Sequence, residues 1–265
     1  MYMFYINNNI YRKVDDTMKV LIINGTEYKK NTYFIAKQLV SKLPCQKTDV
    51  KEIVLPRDLP EHCSGCGVCF RKDISLCPHR EITKHLQQMM DKADILIFVT
   101  PTYVYHSTGA MMDFLDHFCS IWLLHKPMKS MFQKQAVVIS TSAGKGHKSA
   151  IKDVVDSLQY WGVPRIYTLG LSLKADSIAK ASPKKIKKIY NSTSKIANKL
   201  KNRYGNVTPS HHAKYLFKTM RALIRHVDMG ANDRDYWKKQ GWFYKSNPWK
   251  NDRPECIVKQ DFKYR

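Results

Sequence analysis

The chain has no run of about eighteen consecutive apolar residues, so no segment is expected to cross a bilayer as a helix. The opening stretch "MYMFYINNNIYRKVDDT" lacks both a continuous apolar core and a small-residue cleavage site, and it does not read as a secretory leader. Cysteine occurs seven times, and an odd count excludes a complete disulfide framework. Reduced thiols are the state expected in the cytoplasm, which is the compartment this composition predicts. Glycine is sparse, at 11 of 265 residues, and two glycine-dependent nucleotide fingerprints are missing. The loop after the first strong strand pattern, "GTEYKKNT", is neither G-x-G-x-x-G nor G-x-x-x-x-G-K-[ST]. That excludes a P-loop ATPase and an ordinary dinucleotide-binding dehydrogenase. Carboxylates are scarce as well: 22 acidic residues stand against 45 basic ones, a formal net charge of +23.

That positive charge is uneven. Residues 1–150 hold 20 basic and 13 acidic side chains, a net +7, and residues 151–265 hold 25 and 9, a net +16. Such a surface attracts anions, from nucleotides to nucleic acid or acidic membranes. In "SPKKIKKIYNSTSKIANKLKNRYG", however, Ile186, Ile189, Ile196 and Leu200 recur at helical spacing. The lysines then fall on the wet face of an amphipathic helix, and a solvated surface explains them without a ligand.

Short, β-branched, almost continuously apolar segments alternate with helical patterns. "KVLIIN" (19–24), "DILIFVT" (94–100) and "QAVVIST" (135–141) read as strands covered on both faces, with "DVKEIVL" (49–55) and "RIYTLGL" (165–171) as weaker members. Helices are predicted over 32–43, 81–93, 109–123, 148–162 and 183–203. Alternation of this kind predicts an α/β doubly wound parallel sheet. Ligands in such sheets sit beyond the carboxyl ends of the strands. Three segments in that position, "GTEYKKNT", "PTYVYHSTG" and "TSAGKGH", combine glycine or proline with hydroxyl or amide side chains. They offer backbone N–H groups and helix N-termini to a phosphate or a planar ring. Helix capping by Asn31 or Thr32 explains the first of them without a ligand.

Together the stretches "KVLIINGTEYKKNT", "CSGCGVCFRKDISLC", "ADILIFVTPTYVYHSTGAMMDFLDHF" and "VVISTSAGKGH" resemble the flavodoxin-like NAD(P)H-dependent FMN reductase family, and within it the iron–sulfur flavoprotein branch. The resemblance runs from about Lys19 to Arg203. It implies a five-stranded sheet of order 2-1-3-4-5 and an FMN site. Thr26, Asn31 and Thr32 would hold the phosphate. Pro101, Thr102, Tyr103, Val104 and Tyr105 would line the isoalloxazine ring, with Ser107 and Gly109 shaping the turn. Thr141, Ser142, Ala143 and Gly144 would meet the ring's polar edge. Where the family usually carries an arginine in the first loop, this chain has Tyr28 and Lys29. Lys29 would neutralise the phosphate as a point charge without clamping it bidentately.

Cys63, Cys66, Cys69 and Cys77 follow the spacing C-x2-C-x2-C-x7-C, with Pro78 after the last. The run resembles the cubane-cluster ligands of bacterial ferredoxins, trailing proline included. Gly65 and Gly67 let the backbone curl around such a group. Four thiolates also bind zinc, and His62 and His79 flank the motif, so zinc and metal-free thiols stay open as alternatives to a [4Fe–4S] cluster. Of the remaining cysteines, Cys119 lies in an apolar helical pattern and reads as a packing residue. Cys45 and Cys256 have no partner motif.

The resemblance implies an FMN-dependent oxidoreductase or electron-transfer flavoprotein that passes electrons between FMN and a [4Fe–4S] cluster, with both cofactors meeting at one cleft. No side chain is assigned as a general acid. NAD(P)H is a possible donor, a small molecule or a protein the other electron partner, and a homodimer or homotetramer the expected assembly, with one subunit's cluster near another's flavin. A reductase of FMN, quinones or nitro compounds with no working cluster is the alternative. A different class, a nucleic-acid-binding protein, draws on "DYWKKQGWFYKSNPWK", where Trp237, Trp242, Phe243, Tyr244 and Trp249 are interleaved with cations. The expected organisation is an N-terminal extension (1–17, expected to be disordered), a flavodoxin-like domain (18–204) with a cysteine-rich loop (61–80), and a basic helical extension rich in aromatic residues (205–265). Within that extension, Tyr215, Leu216, Met220, Leu223 and Ile224 form a face suited to a dimer contact or a lid over the cleft.

Overall fold

Five short apolar segments form one parallel sheet: Val20–Asn24 (β1), Val50–Val54 (β2), Ile95–Val99 (β3), Gln135–Ser142 (β4) and Arg165–Ser172 (β5). The computed structural model describes residues 17–175, 177–226, 231–244 and 248–249. The expected N-terminal extension, apart from Thr17, and the end of the C-terminal extension with Cys256 lie outside the described residues. The spatial order is β2-β1-β3-β4-β5, with Val20 level with both Val50 and Ile95. Every residue of β1, β3 and β4 is buried, as continuous apolar runs require when both faces are covered. The two weaker patterns became the edges, where β2 and β5 mix buried and half-exposed positions.

The helices are Asn31–Val40 (α1), Val68–Arg71 (α2), Arg80–Lys92 (α3), Gly109–His117 (α4), His147–Tyr160 (α5), Pro183–Asn202 (α6), His211–His226 (α7) and Ala231–Lys239 (α8). One face of the sheet packs on α3, α4 and α5, and the other on α1 and α6. The lysines of α6 do face water, at Lys184, Lys187, Lys188, Lys195 and Lys199, while Ile189, Ile196 and Leu200 are buried. Ile186, expected on the buried stripe, is 41% exposed.

Helix α4 stops at His117 rather than running to residue 123. Phe118 leaves helical geometry to pack its ring 4.8 Å from Phe114 and 6.0 Å from Trp161, and Cys119–Ile121 follows as a tight 3₁₀ turn. The C-terminal helices build a third, aromatic core: Phe217, Trp237 and Trp242 close around Leu123 and Phe132. Phe217 takes the inward position on α7, and Tyr215 points to solvent at 68% exposure. Among the described residues no helix is long and apolar enough to cross a membrane.

Candidate functional site

Two cavities lie at opposite ends of α4. The first is a cleft of about 310 Å³ beyond the carboxyl ends of β1, β3, β4 and β5. Three strand-end loops make it, tied together by hydroxyl groups. Thr108 caps α4, accepting from the Met111 N–H, and its own hydroxyl donates to the Gly25 carbonyl at 2.6 Å. The approach is close enough that a Cβ at Gly25 would stand 2.7 Å from Thr108 Oγ1, so the position needs glycine. Thr32 Oγ1 and Thr141 Oγ1 share a 2.5 Å hydrogen bond between the first and third loops, and Thr102 and Ser140 share one of 3.0 Å. Asn31 Oδ1 accepts from the Ile178 N–H at 2.8 Å, fastening the start of α1 to the segment after β5.

Nine of the residues expected at an FMN site line this cleft: Thr26, Asn31 and Thr32 from the first loop, Pro101, Thr102 and Tyr103 from the second, Thr141, Ser142 and Ala143 from the third. Lys29 does not. Its ammonium pairs with Glu52 of β2 at 2.5 Å, which raises its pKa, and Lys30 is the lysine on the cleft wall. Glu52 stays lowered although burial pulls it upward, because Lys29 and Tyr33 both donate to it. Val104, Tyr105, Ser107, Gly109 and Gly144 are not among the residues that line the cleft. Tyr103 and His106 exchange backbone hydrogen bonds of 3.0 and 2.9 Å across a hairpin whose two central residues, Val104 and Tyr105, have φ of 47° and 67°. A β-branched residue in that region is strained. Ser107 turns inward to Asp153, its N–H donating at 3.0 Å.

The cleft also uses residues the motifs did not mark. Asn24, at the end of β1, is buried with Oδ1 unpartnered, and Leu173 and Ala175 extend the wall after β5. An amide closing an otherwise apolar strand is a signal for Asn24; nothing in the sequence marks the other two. Among the described residues the wall carries Lys30 and no carboxylate, and α1 begins with no acidic residue in its first turn and no capping bond from the Lys30 side chain. A helix N-terminus beside a lysine suits an anionic phosphate. The hydroxyl and amide groups opposite suit a planar heterocycle. FMN has both, and the residues present fit it.

The second cavity, about 60 Å³, is lined by Cys63, Cys66, Cys69 and Cys77, by Asp116 and His117 at the end of α4, and by Cys119. It shares no lining residue with the cleft, so the expected single meeting place is two sites. Left-handed Gly65 and Gly67 (φ 65° and 66°) wrap the loop around Cys66, as the glycine spacing implied. Asp113 Oδ1 accepts from the Cys63 N–H at 2.9 Å. His117 Nδ1 donates to the Asp113 carbonyl at 2.8 Å, leaving Nε2 to accept from His79 Nδ1 at 3.0 Å. Burial pushes the Cys63 thiol up, and burial beside Asp113 pushes Asp116 up. Cys119 Sγ lies 3.7 Å from Cys69 Sγ, and that contact depresses Cys69 and raises Cys119, as expected for a thiol donating to a thiolate. Cys119 is therefore no mere packing residue. Among the described residues no three histidine, cysteine or carboxylate side chains are close enough to share one ion.

The C-terminal helices support this second cavity, and among the described residues none of theirs lines the cleft. Phe70, inside the cysteine loop, stacks on His125 at 4.8 Å, and His125 Nδ1 bonds buried Asp233 of α8 at 2.8 Å. Asn232 donates to the Lys72 carbonyl at 3.3 Å. Trp237 and Trp242, expected as possible base-stacking platforms, are 0% and 2% exposed, so they serve the core instead.

Residues 18–173 match the family described as NADPH-dependent FMN reductase. An iron–sulfur flavoprotein of Archaeoglobus fulgidus is 25% identical over 198 residues, 73% of this chain and 85% of the relative. A second iron–sulfur flavoprotein of that organism is 28% identical over 99 residues, 37% of this chain and 48% of the relative. The solved apo form of an NADH:FMN oxidoreductase shares the fold, with a TM-score of 0.52 at 18% identity over 76% of this chain and 99% of that one. The chain belongs to the NADPH-dependent FMN reductase family, is similar to its iron–sulfur flavoproteins, and is a flavin-dependent oxidoreductase.

Proposed function

We propose that FMN occupies the strand-end cleft and that the four motif cysteines hold a [4Fe–4S] cluster, so that electrons pass between the two along the flank covered by α4. The observation that carries the flavin half is the cleft at the start of α1, whose described lining carries Lys30 and no carboxylate. When bound, FMN supplies hydride and single-electron chemistry, and the cluster supplies single-electron chemistry. The residues of this chain bind, orient and exclude water. Thr26, Asn31, Thr32 and Lys30 hold the phosphate end. Pro101, Thr102 and Tyr103 flank the ring on one side, and Thr141, Ser142 and Ala143 offer polar contacts at its edge. Val104, Tyr105, Ser107, Gly109 and Gly144 set the shape of the loops that carry those contacts. Lys29 acts at one remove, by anchoring the first loop to Glu52.

What supports the cluster half is the donor set. Cys63, Cys66, Cys69 and Cys77 surround a cavity instead of gathering on one point, and the relative that shares 25% identity is an iron–sulfur flavoprotein. Closed zinc sites hold their sulfurs about 2.3 Å from a single ion. We assign residues 18–204 to the flavin domain with its cysteine loop at 61–80, and 205–265 to a C-terminal extension whose helix α8 braces the loop. NAD(P)H, another small molecule or a protein serves as electron donor or acceptor, and a homodimer or homotetramer is the assembly to look for.

Anaerobic purification with FMN, iron and acid-labile sulfide measured per chain tests both halves. The expected result is flavin together with equal amounts of iron and sulfide, and loss of both the iron and the sulfide in Cys63→Ser. Flavin without iron moves the assignment to a reductase of FMN, quinones or nitro compounds. Absence of flavin binding overturns the reading.

A further inference from the structure

Cys119 lies outside the cysteine motif, yet the fold brings it to Cys69 across fifty positions of sequence. Cys69 sits on α2, a short helix inside an irregular loop. Cys119 opens the 3₁₀ turn that follows α4, and both sulfurs border the same cavity. Their 3.7 Å contact is the one thiol–thiol hydrogen bond among the described residues. A disulfide holds its sulfurs about 2.0 Å apart, so closure requires a shift of roughly 1.7 Å shared by two side chains. One of those side chains is carried by a four-residue helix between loops, which can give. Cys66, on the rim of the cavity, is exposed, so a small oxidant can enter. Cys63 is held elsewhere, its backbone N–H fixed to Asp113.

We propose that Cys69 and Cys119 form a reversible disulfide when the cavity holds no cluster, and that this bond withdraws the third cysteine of the motif from the metal site. The oxidant is a hydroperoxide. The Cys69 sulfur attacks the peroxide O–O bond, giving a sulfenic acid and one molecule of water or alcohol. The Cys119 sulfur then attacks the sulfenic sulfur, the S–O bond breaks and a second water leaves. In sum, two thiols and one peroxide give one disulfide, with both electrons ending on peroxide oxygen. A dithiol reductant reverses the change by thiol–disulfide exchange. A cluster and the disulfide exclude each other, because each uses Cys69.

The disulfide clause stands apart from the cluster reading; the withdrawal clause rests on it. Two measurements on the full chain separate them. The chain is stripped of iron with a chelator under reducing conditions, exposed to hydrogen peroxide, alkylated and digested for peptide mass analysis. A Cys69 peptide joined to a Cys119 peptide, two hydrogens lighter than the reduced pair and released by dithiothreitol, is the expected result. Cys69 joined instead to Cys63, Cys66 or Cys77, or Cys69 and Cys119 both alkylated after peroxide, overturns the proposal. Because the linkage is read on the unmutated chain, it does not depend on any variant folding. The second measurement is uptake of ferrous iron and sulfide. The oxidised chain is expected to take up at least tenfold less than the same chain after dithiothreitol, and Cys119→Ser and Cys119→Ala, which lack the resolving thiol, are expected after peroxide to give no linked Cys69 peptide and a Cys69 sulfenic acid that dimedone labels. Equal loading of oxidised and reduced wild-type chain overturns the withdrawal clause. Failure of the fully reduced chain to load at all overturns the cluster reading and leaves the disulfide to the first measurement.

Discussion

The cleft and the thiol cavity are both made from segments that follow strands, but they are held in different ways. The cleft hangs on three central strands in which every residue is buried, and its loops are laced directly to one another by Thr32, Thr102, Thr108 and Thr141. The thiol cavity follows the edge strand β2 and has little regular structure of its own. Its order comes from outside: from Asp113 and His117 on α4, and from the chain Phe70–His125–Asp233 that reaches into the C-terminal helices. A site on a rigid scaffold keeps its geometry without help, whereas a site on an irregular loop needs contacts from other elements to hold it. The C-terminal helices, which lie beyond the family match at residue 173, supply part of those contacts.

Changes aimed at one region should leave the other intact, and the largest effect is expected at Gly25. Gly25→Val sets a side chain 2.7 Å from Thr108 Oγ1 and 3.2 Å from the Val99 carbonyl. Overpacking of that kind costs about 2–3 kcal/mol. FMN titration by fluorescence should show at least tenfold weaker binding, with iron content per chain unchanged; normal FMN binding would break the comparison. Asp233→Ala tests the other region. It leaves His125 without its partner, a loss of about 2 kcal/mol. Hydrogen exchange at residues 63–77 should accelerate while FMN affinity holds, and unaltered exchange there would separate the helices from the cysteine loop.

Val104→Gly sharpens the comparison within the cleft. Relief of the left-handed strain should stabilise the chain by about 1 kcal/mol in urea unfolding. FMN affinity should fall several-fold if the strained hairpin shapes the ring site. The smallest effect is expected for Asp116→Asn. Asp116 is largely exposed, but its partial burial, reinforced by Asp113, raises its pKa in the fold, so its charged form is the disfavoured one. Its contribution to stability is therefore present at acid pH and lost as pH rises through the folded pKa. Melting temperatures of wild type and variant should coincide near pH 4, with the variant higher at neutral pH; parallel curves would remove the role given to burial.

The strand segments were legible to within one or two residues because β-branched apolar runs report burial on both faces. The three strand-end loops were legible for the same reason, since a strand's end fixes where its loop begins. Nine of the expected residues line the cleft, and Lys29 shows why one did not. Lys29 and Lys30 are adjacent, and which of them turns inward depends on Glu52, twenty-three positions away from Lys29. The cysteine spacing was visible, but Cys119's part in that cavity was not, because an apolar helical pattern says nothing about where α4 breaks. The tryptophans near the C-terminus looked like an exposed aromatic stripe until Leu123 and Phe132 came up against them.

Sequence alone determined the α/β order, the anion-friendly first loop and the thiol-rich connector, since hydrophobic period and turn chemistry act over a few neighbouring residues. The tertiary structure decided that there are two separate cavities, that Lys30 rather than Lys29 faces the cleft, and that Cys119 meets Cys69. Those outcomes depend on side-chain direction in irregular segments, and direction there is set by contacts between residues far apart in the chain.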